Sequence, residues 1–272
     1  MTATTAPHPG AHQATAGRYL FRHVATMEWI KLRTMRSTWW TLGITAAGAI
    51  AMAVVVGFNT TTAAEDLTNN VLAGVVPGLV LTGVLGVMVM TGEYTSGLIR
   101  ATLAAVPNRP LVLAAKAAVF GGMTLIVGEA AAFTAFFAGA AALRHGLVAP
   151  TFGQPGVLRA VVLSGAAFSL TGLLGLGLGA IIRHTAAAIG VLVGGVWILA
   201  QIVGAVAPSL AAYMPVIIIA NSLSTTKPET CASNPGGACI HFLSPWAGLG
   251  MLCLYAAVAL AIGGWLVARR DA

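Results

Sequence analysis

The sequence predicts an all-α, polytopic membrane protein with six transmembrane helices. Hydrophobic residues make up 58% of the 272 residues and charged residues only 8%, whereas soluble domains carry about 25% charged residues. The mean hydropathy is +0.89. A soluble chain of this length could not cover so much apolar surface, so lipid must form part of its solvent.

Six apolar runs have the length of about 20 residues that a helix needs to cross the hydrocarbon core. They occupy residues 39–58, 71–91, 113–143, 157–182, 186–207 and 245–268. A seventh run, over residues 210–221, is too short to span and contains Pro215. This run predicts a re-entrant or interfacial helix before the last span.

These runs divide the chain into three predicted regions. Residues 1–17 form a polar tail without an apolar core, which predicts a disordered cytoplasmic segment rather than a signal peptide. Residues 18–37 form an interfacial connector helix. The six-helix transmembrane domain fills residues 38–272, with a cytoplasmic loop at 92–112 and an outer loop that holds the re-entrant helix at 208–244.

The net charge of +7 comes from basic residues that flank the apolar runs. This distribution is typical of membrane orientation and does not indicate nucleic-acid binding. An N-terminus on the inside places three basic residues outside, namely Arg144, Arg159 and Lys227. It places the other eleven inside, namely Arg18, Arg22, Lys31, Arg33, Arg36, Arg100, Arg109, Lys116, Arg183, Arg269 and Arg270. We therefore expect both termini in the cytoplasm.

The segment before the first run is amphipathic. At 100° per residue Leu20, Val24, Met27 and Met35 share one face, and arginines gather on the other. Lys31 falls on the apolar face, where it could extend its ammonium to the interface or meet Glu28 one turn earlier. The segment therefore predicts either a juxtamembrane anchor or a connector helix beside a cytoplasmic partner.

The loop between the second and third runs mixes charged, aromatic and small residues. Its pattern predicts a short helix that Pro107 ends, with Glu93 and Arg100 seven residues apart on one helical face. A solvated turn is the alternative interpretation.

Three pairs of glycines in the runs have small-xxx-small spacing, which lets helices approach closely in lipid. They are Gly74/Gly78, Gly175/Gly179 and Gly190/Gly194.

Two segments resemble the signatures of ABC-2 type exporter permeases, particularly actinobacterial ones. The first reads Glu28-Trp29-x-Lys31-Leu32-Arg33-Thr34-x-Arg36-Ser37-Thr38-x-Trp40, and the second reads Glu93-Tyr94-x-x-Gly97-x-Ile99-Arg100-x-Thr102-Leu103, followed by Pro107-x-Arg109 and Lys116. The end of the chain, from Leu243-Ser244-Pro245-Trp246 onward, is similar to the family more weakly.

This resemblance implies a permease that dimerises, as a homodimer, in the plasma membrane of a bacterial cell. Each copy would dock on a separately encoded ATPase subunit, which binds ATP and Mg, and the complex would export a small amphipathic drug, antibiotic or lipid-like molecule. The matched motifs imply two functional sets. Glu93, Tyr94, Gly97 and Arg100 would couple to the ATPase, and Glu28, Lys31, Arg33 and Arg36 would belong to the connector helix. Leu98 departs from the family pattern, in which we expect threonine.

The chain contains no P-loop of its own. That motif needs a Gly-Lys-Ser/Thr sequence to hold phosphates. The lysines are Lys31, Lys116 and Lys227, and none of them follows a glycine. We therefore expect a transporter subunit rather than an enzyme, with ATP hydrolysis in a partner.

Glu129 is the one acidic residue well inside a predicted span. A charge there costs about 2.5–3.5 kcal/mol on insertion scales. It predicts either a contact to a polar or cationic substrate or a neutral carboxyl that braces helices.

Cys231 and Cys239 flank a turn-rich spacer in the last predicted outer loop. Their spacing and outside location predict a disulfide. A metal site is a weaker interpretation because only His241 lies near, so no metal is expected.

Three other function classes compete with the exporter. A secondary transporter or channel without an ATPase partner usually carries several ionisable groups within its spans. A membrane-embedded enzyme needs converging catalytic side chains, and the sequence shows no such cluster. A non-transporting assembly or immunity factor is compatible with the sequence.

Overall fold

The computed structural model describes residues 20–62, 66–106, 108–144, 146–225 and 242–269. All regular structure in these ranges is helical. The helices are α1 (Phe21–Thr34), α2 (Arg36–Asn59), α3 (Leu67–Val71), α4 (Val75–Thr95), α5 (Leu98–Ala105), α6 (Arg109–Ala142), α7 (Val157–Ile182), α8 (Thr185–Val193), α9 (Leu199–Val206), α10 (Pro208–Ala211), α11 (Pro215–Leu223) and α12 (Pro245–Arg269).

Within the described ranges, five of these helices are long and apolar enough to cross a membrane. They are α2, α4, α6, α7 and α12, and each overlaps one of the predicted runs. The prediction of an all-α, multi-pass membrane protein is therefore confirmed at this level.

The remaining predicted span, at residues 186–207, takes a different form. Here α8 passes into a π-helical turn at Gly194–Ile198 and then into α9. Two consecutive glycines begin this turn. Because they lack side chains, the backbone can change there from the i→i+4 hydrogen bonds of an α-helix to the i→i+5 hydrogen bonds of a π-helix. The segment is helical but not one long α-helix, so a count of six spans stays a prediction.

Most of the described basic residues lie at one end of the bundle, which we call the basic end. Successive long helices alternate in direction, so the ends of α4, α7 and α12 meet the start of α6 there, beside α1 and α5. The opposite end holds Arg144 and Arg159. The basic end holds Arg22, Lys31, Arg33, Arg36, Arg100, Arg109, Lys116, Arg183 and Arg269.

Helix α7 is the most buried span, because α4, α6 and α12 pack around it. At two points its backbone lies directly against the backbone of α4. A Cβ added at Gly175 would lie 2.0 Å from the Gly83 carbonyl oxygen, and one at Gly86 would lie 2.0 Å from that of Gly172. Of the predicted glycine pairs, the one at 175 and 179 packs on α4, while that at 190 and 194 faces open space.

A carboxylate organises the opposite end. Asp66 caps α3 by accepting hydrogen bonds from the backbone amides of Thr68 and Asn69, both at 3.1 Å. It also accepts bonds from Ser224 Oγ at 2.8 Å and from the Thr225 amide at 2.7 Å, just beyond α11. These bonds join the loop before α4 to the end of α11.

The short run predicted to be re-entrant, residues 210–221, contains the second half of α10 and most of α11. The Tyr255 hydroxyl donates a hydrogen bond of 2.8 Å to the Tyr213 carbonyl, just before α11. Tyr255 lies about 15 Å along α12 from its first residue, at 1.5 Å per residue. Residues 213–225 therefore rise along α12 toward the opposite end, and the re-entrant path through lipid stays a prediction.

Close backbone contact between α4 and α7 leads to a stability prediction. Gly175→Ala forces the two helices apart, and we expect a loss of about 1–3 kcal/mol or more, as for other overpacked cores. Thermal unfolding of the purified protein in detergent measures this loss. Gly43→Ala is the matched control, because a Cβ at Gly43 meets no atom within 4 Å. Equal unfolding temperatures for the two variants would contradict the contact.

Candidate functional site

Helix α1 buries a narrow face that has an acidic residue at its centre. Val24, Glu28 and Leu32 follow each other at four-residue spacing and are 1%, 0% and 2% exposed. The wider apolar face expected from the sequence is not buried, since Leu20 and Met35 lie largely exposed. The charged partners of Glu28 explain why this residue takes the most buried position.

Four charged side chains, two of them from α1, meet at the buried face of α1, and we call them the charge cluster. Lys116 of α6 donates to Glu28 Oε2 and, at 2.8 Å, to Glu93 Oε1 at the end of α4. Lys31 donates to Glu28 Oε1 at 2.9 Å and to the same Glu93 oxygen at 3.0 Å. Lys31 also donates to the Thr102 hydroxyl of α5 at 3.1 Å.

The charge cluster is electrically balanced and largely removed from solvent. Glu28 and Lys116 are 0% and 2% exposed, and Glu93 is 7% exposed. Two carboxylates and two ammonium groups cancel, which makes burial of four charges tolerable. Glu93 Oε2 is buried and accepts no hydrogen bond from the described residues, so it is an acceptor open to a further donor.

Lys31 lies outside the spanning helices and keeps its proton firmly. Burial of its ammonium acts against the charge, but the hydrogen bond with Glu28 and the negative charges of Glu93 and Glu28 outweigh it and raise the pKa of Lys31 above its ordinary value. A raised pKa means that the stabilising contribution is complete at neutral pH and is lost only as the pH rises through the raised value. Lys31 is therefore charged under physiological conditions.

A sharp corner separates α4 from α5. Gly97 has φ of +70°, in the left-handed region that glycine adopts without strain, and it ends the continuous helix between Ser96 and Leu98. Glu93 therefore belongs to α4 and Arg100 to α5. The prediction that these two residues share one helical face is wrong, and the reason is the glycine corner.

The other residues implied by the family resemblance lie outside the charge cluster. Tyr94 faces the end of α7, where the Arg183 guanidinium lies 5.1 Å from its ring centroid. Arg33 and Arg100 are exposed on α1 and α5, and Arg36 is exposed as the first residue of α2 rather than part of α1.

Lys116 belongs to the charge cluster. From the sequence it was predicted only to be part of the second family motif and to lie on the cytoplasmic side. A signal for it was present in the sequence. Lys116 lies in the apolar third run, and an ionisable residue in such a run needs a partner. The acidic residues on the same predicted side are Glu28, Glu93 and, at the end of the chain, Asp271.

Glu129 lies far from the charge cluster, about 20 Å further along α6 than Lys116 at 1.5 Å per residue. Its carboxyl group occupies the space that Gly165 of α7 leaves open, since a Cβ there would lie 2.3 Å from Glu129 Cδ. Glu129 Oε2 is buried and has no hydrogen-bond partner among the described residues. This close contact with α7 favours helix bracing, and the choice between bracing and a substrate contact stays open.

The predicted disulfide between Cys231 and Cys239 lies outside the described residues. Cys253 is a free thiol exposed on α12. In the part of the chain that the structure describes, no three His, Cys, Asp or Glu residues converge in the way that a metal site requires.

Comparison with protein-family models gives no match, and comparison with curated proteins gives none either. The resemblance to ABC-2 permeases therefore stays a prediction that depends on the two sequence segments.

The balance of charge gives the cluster a testable signature. Lys116→Met leaves two buried carboxylates with one ammonium group, and we expect a loss of about 3–5 kcal/mol in the free energy of unfolding. Glu28→Gln combined with Lys116→Met restores neutrality and should recover most of that loss. Denaturant titration in detergent measures all three proteins.

Arg100→Met is the control for the loss of a basic residue, because Arg100 is exposed and outside the cluster. We expect a change within about 0.5 kcal/mol. If Lys116→Met were no less stable than Arg100→Met, the cluster would not hold the basic end together.

Proposed function

We propose that this chain is the permease subunit of an ABC-2 type exporter and that the charge cluster transmits movement from a separate ATPase subunit to the transmembrane helices. The observation that carries the proposal is the joining of three helices through four charges, with a fourth helix held by a hydroxyl group. Helix α1 contributes Glu28 and Lys31, α4 contributes Glu93, α6 contributes Lys116, and α5 joins through Thr102.

Such a junction supports a mechanical role because it resists separation of its parts. Pulling one carboxylate or ammonium group out of the cluster leaves a buried charge without a partner, which costs several kcal/mol. A push on α1 or α5 would therefore move the ends of α4 and α6 with it. Those two helices pack on α7, so the movement would reach the middle of the bundle.

The surface outside this junction suits a docking partner. Helix α5 buries Ile99 and Thr102 against the protein, and it exposes Leu98 and Arg100. Arg33 is exposed on the neighbouring α1. A protruding corner with apolar and guanidinium groups gives a partner both contact area and directional hydrogen bonds.

The proposed division of labour assigns ATP and Mg to the partner subunit. In the proposed complex, two copies of this chain form the pathway and two ATPase subunits drive it. Closure of the ATPases would tilt the spans and alternate access to a cavity between the permease copies. The apolar spans suit a small amphipathic cargo, such as a drug, an antibiotic or a lipid-like molecule.

A charge-balanced double variant tests the transmission role. Lys31→Met with Glu93→Met removes one charge of each sign and the acceptor that Lys116 uses on α4, so the Glu28–Lys116 pair stays balanced while α4 loses its link. We expect the complex with the proposed ATPase subunit to assemble and to keep basal ATP hydrolysis. Stimulation of hydrolysis by transported compounds, and transport itself, should fall at least tenfold in proteoliposomes.

Arg144→Gln is the control variant, because Arg144 lies at the opposite end. It should transport as the wild type does. If substrates still stimulate ATP hydrolysis fully in the double variant, the charge cluster does not transmit movement. Transport driven by an ion gradient without any ATPase would instead favour the secondary-transporter alternative.

The proposal also requires the basic end to face the cytoplasm, as the excess of basic residues predicts. Single cysteines at Ser96 and Gln154, both exposed, mark the α4–α5 corner and the opposite end. The three native cysteines are replaced by serine for this experiment. A membrane-impermeant maleimide should label Gln154→Cys in intact cells and Ser96→Cys only after permeabilisation, and the reverse pattern would contradict docking of a cytoplasmic ATPase at the corner.

A further inference from the structure

A groove opens between the interfacial helix and the third long helix, and we call it the α1–α6 groove. It has a volume of about 500 Å³, within the range of sites that bind small molecules. Trp29 of α1 and Trp39 of α2 border it, and the α6 side runs from Ala118 to Val127. Its floor includes Gly122, where an added Cβ would meet no atom within 4 Å.

The length of the groove matches half of a bilayer. At 1.5 Å per residue its α6 side extends about 14 Å, and the hydrocarbon core is about 30 Å thick. The groove starts at α1, beside the basic end, and ends near the middle of α6. Ile126 lies near the end of the groove that is farther from the basic end, and it is 73% exposed. An occupant at that depth would therefore be apolar.

The end of the groove beside the basic end carries positive charge. Arg22, Thr26, Trp29 and Arg33 lie within 60° of one another around α1 at 100° per residue, and two of them, Thr26 and Trp29, line the groove. Neither arginine forms an ion pair within the described residues, and both are exposed. The Trp39 indole donates a hydrogen bond of 3.1 Å to the Arg33 carbonyl, which holds this ring beside the same end.

We propose that the α1–α6 groove is a binding site for one phospholipid with an anionic headgroup. An acyl chain would lie along α6 over Gly122 and Ile126, and the headgroup phosphate would accept hydrogen bonds from Arg22 and Arg33. The two tryptophans lie at the level where indole rings favour the boundary between headgroups and acyl chains. A soluble anion would use the arginines but would leave the apolar groove open.

Lipid retention in detergent tests this site. The purified chain is incubated with phosphatidylglycerol or phosphatidylcholine, and lipids that stay bound are counted by native mass spectrometry. We expect one retained phosphatidylglycerol per chain and at least tenfold less phosphatidylcholine. Gly122→Leu should abolish retention, because its side chain enters the groove. Arg22→Gln with Arg33→Gln should lower the preference for phosphatidylglycerol about tenfold.

Matched variants separate this groove from the rest of the lipid-facing surface. Gly48→Leu adds the same side chain where there is also open space, on α2, and it should retain the lipid. Arg100→Gln removes an exposed arginine outside the groove and should keep the preference. If Gly122→Leu folds poorly by circular dichroism, Ile126→Gln replaces it, since this exposed position tolerates a polar side chain.

Three results would overturn the proposal. Equal retention of the two lipids would mean that the arginines do not select a headgroup. Retention in the folded groove variants would place the lipid elsewhere. Displacement of phosphatidylglycerol by inorganic phosphate at similar concentration would show that the groove holds an anion and no acyl chain.

Discussion

The structure of the basic end depends on the cost of burying charge. Glu28 and Lys116 are almost wholly removed from solvent, and burying a charge is costly unless it is paired and hydrogen-bonded. Because each charge is balanced only when all four side chains of the charge cluster meet, the positions of α1, α4 and α6 depend on one another. One electrostatic constraint thus fixes α1 against two helices that are distant in sequence, and the Thr102 hydroxyl adds α5.

The spans are held together by a different means. Lipid tails are as apolar as leucine, so burial of apolar area does not drive helices together inside a bilayer. Close packing does, and α7 provides it where Gly175 and Gly172 meet α4 backbone. The outer spans α2 and α12 are less buried than α4, α6 and α7. The bundle therefore has a tight centre around α7 and two spans whose surfaces are left for lipid or for another subunit.

Hydropathy predicted most of the fold because a spanning helix needs a continuous apolar run, and five such runs became long helices. At Gly194 and Gly195 local backbone freedom produces a π-turn that composition does not reveal. For the charge cluster, the sequence indicated Glu28 with Lys31 through their spacing on one helix. Lys116, an ionisable residue in an apolar run, indicated that an acidic partner lies on the same side. The sequence could not indicate that all four side chains meet at one point, because that depends on how α4 and α6 pack.

The two faces of α1 connect the charge cluster to the α1–α6 groove. Val24, Glu28 and Leu32 point into the protein, and Ala25 and Trp29, one residue further along, line the groove. A single short helix thus has the cluster on one side and the groove on the adjacent side. A molecule that fills the groove would oppose rotation of α1, and rotation of α1 would strain the bonds of Glu28 and Lys31. If a lipid occupies the groove as proposed, lipid composition and the stability of the junction would be linked through the rigidity of this helix.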